Sequence, residues 1–69
     1  MQKLKVHVKN NGAGWFRVAI PSGGGYVYQK TRGINELARL LKNNAYWVAN
    51  LYGKKLNKVQ EQMILNIND

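Results

Sequence analysis

Between residues 3 and 9 the sequence alternates without a break: Leu4, Val6 and Val8 fall on one side, Lys3, Lys5, His7 and Lys9 on the other. Only a strand can bury such a pattern, because a helix would scatter the apolar residues around its circumference. The alternation returns over residues 15–20, where Phe16, Val18 and Ile20 oppose Trp15, Arg17 and Ala19. Between the two, Asn10-Asn11-Gly12-Ala13-Gly14 tolerates positive φ and predicts a hairpin loop. Pro21-Ser22-Gly23-Gly24-Gly25 cannot continue a ladder and predicts a second, looser loop. A third strand follows over Tyr26-Val27-Tyr28-Gln29-Lys30, with either its tyrosines or Val27 turned toward the core.

After Thr31-Arg32-Gly33 the period changes. Ile34, Leu37, Ala38 and Leu41 stand at i, i+3, i+4 and i+7, which predicts a first helix that Lys42-Asn43-Asn44 ends. Residues 45–52 read as a second helix, with Val48, Leu51 and Tyr52 on one side and Gly53 as its αL terminator. Leu56, Val59, Met63 and Ile67 define a third apolar stripe, with Asn57 and Gln60 at capping-box spacing and residues 66–69 expected to fray. The expected fold is therefore α+β: one domain over residues 1–69, a three-stranded antiparallel sheet with two or three helices packed on one sheet face.

Composition narrows what such a domain can do. Sixty-nine residues leave room for one modest core. The chain has no Cys and a single His, so disulfides and the usual zinc cages are excluded within it. Its three carboxylates, Glu36, Glu61 and Asp69, form no paired-acid or triad pattern with His7, and no catalytic residue, metal or cofactor is expected. The glycine triplet precedes a strand, whereas a phosphate cradle follows a strand and opens a helix. No apolar run approaches the roughly 18 residues of a membrane span, and the amino terminus lacks a secretory core, so a cytoplasmic protein without membrane contact is expected.

Eleven Lys and Arg against three acids give a net charge of +8, which makes polyanions the expected partners. If Leu4, Val6, Val8, Phe16, Val18 and Ile20 are buried, alternation forces Lys3, Lys5, His7, Lys9, Trp15 and Arg17 onto the opposite face. With Val27 inward, Tyr26, Tyr28 and Lys30 join them, and Arg32 follows at the strand exit. Cations interleaved with flat rings suit nucleic acid: DNA first, with RNA also compatible. Outward lysines also serve solubility and edge protection, which is the plainer account of them. A different class of function fits the same residues: a small phage or bacterial protein that inhibits or adapts an acidic protein partner through its aromatics, as a monomer or a dimer.

Two resemblances bear on this choice. The order of three strands and a helix, with Gly14-Trp15-Phe16-Arg17-Val18 in the second strand and a basic third strand, resembles the amino-terminal arm-binding domains of tyrosine recombinases over residues 3–42. That family and the similar plant AP2-type domain lay a sheet face in the DNA major groove, which implies DNA contacts from Trp15, Arg17, Tyr26, Tyr28 and Lys30. Over residues 34–55, Glu36-Leu37-Ala38-Arg39-Leu40-Leu41, a short break and the run ending Tyr52-Gly53-Lys54 resemble the helix-turn-helix of phage repressors. That likeness implies a reading helix presenting Asn44, Ala45, Tyr46, Trp47 and Asn50 to bases. Both imply a phage or mobile-element setting, and DNA binding of this kind implies a role in transcription regulation.

Overall fold

The computed structural model describes residues 3–68. Six elements follow one another: β1 (Leu4–Gly12), β2 (Trp15–Ser22), β3 (Gly25–Arg32), α1 (Ile34–Asn43), β4 (Tyr46–Gly53) and α2 (Lys58–Asn66). They form an α+β fold with one four-stranded sheet in the order β3-β2-β1-β4. The pairs β1/β2 and β2/β3 are antiparallel, and β4 joins β1 in parallel. A three-stranded antiparallel sheet is therefore not what this sequence makes. The sheet is mixed, and the segment expected as a second helix is its fourth strand.

The reason lies in connection and side-chain shape. Residues 33–45 carry the chain from β3 at one edge to β4 at the other, long enough for the crossover that a parallel strand needs. Tyr46, Trp47, Val48 and Tyr52 are β-formers. A bulge at Ala49 does the rest: Val6 pairs with Val48, but His7 pairs with Asn50. The extra residue resets the alternation, so Val48 and Leu51 both turn inward although three positions apart. That spacing imitates a helix.

Both hairpins are tight. The first turns on Ala13 and Gly14 (φ 53° and 81°) and the second on Gly23 and Gly24 (φ 55° and 86°), pairs of positive φ that match the twist of the flanking strands. The second is thus tighter than the glycine triplet suggests, and Pro21 stays within β2, past the last rung shared with β1 at His7↔Ala19. Gly53 (φ 95°) closes β4 rather than a helix; a Cβ there would lie 2.5 Å from the Asn10 carbonyl oxygen. Asn10 is buried at this joint, donating from Nδ2 to the Lys54 carbonyl (2.9 Å) and accepting the Gly12 N–H (3.0 Å).

Both helices cover one face. Val6, Val8, Phe16, Val18 and Val48 pack against Leu37 and Leu41 of α1 and Ile64 of α2, with Ile20 and Leu51 partly buried at the margin. Leu4 is left 44% exposed. Asn57 caps α2 by accepting the Gln60 N–H (2.8 Å). The buried face of α2 is turned from the expected stripe: Ile64 is enclosed and Leu56 and Ile67 pack beside it, while Val59 and Met63 are exposed. Asn68 does not fray, because its amide pairs with the backbone of Val48, accepting the N–H (2.8 Å) and donating to the carbonyl (3.0 Å). Among the described residues no helix is long and apolar enough to cross a membrane, and no group of three His, Cys, Asp or Glu could hold a metal.

Candidate nucleic-acid interface

The sheet face opposite the helices carries most of the residues singled out from sequence, and the strand register sets them in rows. Directly paired residues share a face. One row crosses all four strands as Tyr52, Lys9, Arg17 and Lys30. The next runs Asn50, His7, Ala19 and Tyr28. Trp15 paired with Arg32 flanks the cationic row on its other side, and Lys5 with Trp47 and Pro21 with Tyr26 lie toward the opposite end of the face.

Val27 turns to the core side, as its pairing with Ile20 requires, so both tyrosines of β3 face outward. The rings are held by cations and by one another. The Arg17 guanidinium lies 4.7 Å from the centre of the Tyr28 ring, that of Arg32 lies 5.6 Å from Trp15, and Lys5 Nζ lies 5.6 Å from Trp47. His7 meets Tyr26 edge to face at 5.8 Å between ring centres. Trp15, Tyr26, Tyr28 and Tyr52 are each between 41% and 57% exposed, which leaves ring surface free for a ligand.

Electrostatically the face is one-signed. No strand contains Asp or Glu; Glu36 and Glu61 both sit in first helical turns, where the helix dipole favours them. Lys9, Arg17 and Lys30 are direct cross-strand neighbours, an arrangement of like charges that costs stability. Among the described residues the buried Arg17 Nε finds no acceptor. The row is therefore, among the described residues, a cationic track with no neutralising partner.

Several nominated residues belong elsewhere. Lys3 precedes β1 and donates from Nζ to the Ile67 carbonyl (3.3 Å) at the end of α2, so it leaves the face that its parity assigned. Asn44 closes α1, its Nδ2 donating to the Leu40 carbonyl (2.8 Å), and Ala45 (φ 53°) takes the positive-φ turn. Tyr46 packs against the core. With β4 a strand, residues 34–55 hold one helix and one strand, so there is no second helix to read bases. Trp47 and Asn50 nonetheless reach the open face, by way of β4. Tyr52 joins them there, although helical spacing turned it inward; its signal was the β-forming character of Tyr46-Trp47-Val48. Such a surface can neutralise phosphates and stack flat rings. No family model, curated protein or solved structure matches this chain.

Proposed function

We propose that this protein binds DNA through its open sheet face, with Lys5, Lys9, Arg17, Lys30 and Arg32 neutralising phosphates and Trp15, Tyr28, Trp47 and Tyr52 supplying ring surface. One observation carries the reading: the Lys9, Arg17, Lys30 row sets like charges directly opposite one another on a sheet whose strands carry no carboxylate. Such a row costs the fold cross-strand repulsion, which a bound polyanion relieves. The role is one of binding rather than catalysis, in a cytoplasmic, phage or mobile-element setting. The likeness of residues 3–42 to recombinase arm-binding domains favours the same face.

The test is a salt titration with fluorescent DNA oligonucleotides. If about five phosphates are neutralised, affinity falls roughly a hundredfold for a single strand and roughly five-hundredfold for a duplex between 50 and 200 mM salt. Arg17→Ala with Lys30→Ala should weaken binding and flatten that slope by about 1.5, while Arg39→Ala with Lys42→Ala, which removes equal charge from exposed positions of α1, should change it far less. Equal losses from the two pairs would mean diffuse attraction without a binding face. No binding even at low salt, or a slope near zero, would overturn the proposal.

A further inference from the structure

We infer that the ligand of this face is an unpaired nucleic-acid strand, its phosphates following the Lys9, Arg17, Lys30 row and its bases stacking on the rings beside it. The inference rests on the DNA-binding proposal and goes beyond it on two grounds, width and ring placement.

Adjacent strands lie about 4.8 Å apart, so the row from Tyr52 on β4 to Lys30 on β3 spans three spacings, about 14 Å between backbone axes before side chains are added. The major groove of a duplex is about 12 Å wide. That groove admits a helix or a two-stranded ribbon; the four-stranded face is too broad to enter it, and β4 is also where Trp47 and Tyr52 stand.

The rings make the second argument. Trp15 lies on one side of the cationic row, Tyr28 on the other, and Tyr52 at its end. Arg17 steadies Tyr28 and Arg32 steadies Trp15, so both rings are oriented before a ligand arrives. Flat rings gain little from a duplex, whose bases are stacked on one another, and much from bases that are free to stack. A phosphate track with rings on either side matches a strand whose bases splay away from its backbone.

The experiment compares a 15-nucleotide oligo-dT, a 15-nucleotide oligo-rU and a 15-base-pair mixed-sequence duplex, by anisotropy and by intrinsic fluorescence. The chain has two Trp, and both lie on this face, so stacking reports itself as quenching. At least one of the single strands should bind about tenfold tighter than the duplex and quench Trp emission. Trp15→Ala with Tyr28→Ala should lower single-strand affinity by about tenfold or more and so erase most of the preference over the duplex, whereas Tyr28→Phe should keep both. A duplex bound as tightly as the single strands, or single-strand binding without quenching, would overturn the unpaired-strand inference and leave DNA binding standing. No binding to any of the three at low salt would overturn both.

Discussion

The two faces of the sheet are made from the same strands yet follow opposite rules. On the covered face Val6, Val8 and Val18 pack into an apolar core with Leu37, Leu41 and Ile64. On the open face their immediate neighbours in sequence, Lys5, Lys9 and Arg17, stand with no acid among them. Period two lets one short chain hold both, since each strand offers alternate residues to each face. Folding and binding should therefore respond to mutations of opposite parity.

The largest effect expected on the covered side is from Leu37→Ala. Leu37 is fully enclosed and joins α1 to the sheet, so its truncation should cost about 2–5 kcal/mol. For 69 residues, total stability is on the order of 3–10 kcal/mol, so chemical denaturation should show a large share of it lost. Measured at low temperature where the variant is still folded, oligonucleotide affinity should be close to wild type. A folded Leu37→Ala protein with much weaker binding would break the separation of the faces.

The two faces were not equally legible from sequence. In β1 and β2 alternation is unbroken through the core positions, and the residues they place outward face outward, apart from Lys3 beyond the strand start. The core-facing parity of β3 followed only once the register with β2 was known, because Tyr26-Val27-Tyr28 reads equally well either way. β4 misled for a definable reason: its bulge at Ala49 brings Val48 and Leu51 into helical spacing, and its partner β1 lies some forty residues earlier in the chain. Periodicity is a local signal, and a bulge paired to a distant strand leaves no local trace. Helical spacing thus points to Trp47 and Asn50, which reach the face on a strand, and turns Tyr52 inward although it reaches that face too. In α2, two apolar registers compete, and packing selected Ile64 over Met63.

A smaller effect is expected where the two faces are tied together. Asn68 belongs to neither face, but its amide occupies the backbone of Val48 and so holds β4 in the sheet. Asn68→Ala should cost about 1–2 kcal/mol, since part-buried backbone groups lose both partners. It should also speed amide hydrogen exchange along β4 and weaken oligonucleotide binding modestly, because Trp47, Asn50 and Tyr52 ride on that strand. Unchanged exchange in β4 would show that pairing with β1 alone holds the strand, and that Asn68 adds nothing to either face.

The smallest effect carries the most pointed sign. Lys30 stands directly beside Arg17, which itself stands beside Lys9, and Lys30 is exposed. Replacing it with Gln keeps a polar side chain, one atom shorter, and removes one member of the like-charged row. Cross-strand pairs are worth roughly 0.2–1 kcal/mol, and a partly solvated repulsion belongs near the lower end. Lys30→Gln should therefore raise stability by about 0.2–0.5 kcal/mol at low salt, a melting shift of about 1–4 °C for a domain of this size. The gain should fade in 1 M salt, where charges are screened over about 3 Å, less than one strand spacing. DNA affinity should move the other way, falling as one phosphate contact is lost. A core position cannot show that pairing of a more stable fold with a weaker complex; a residue kept for its ligand at the expense of the fold should. If Lys30→Gln instead lowers the melting temperature at low salt, the row is not a site of repulsion, and the observation that carries the proposed function is lost with it.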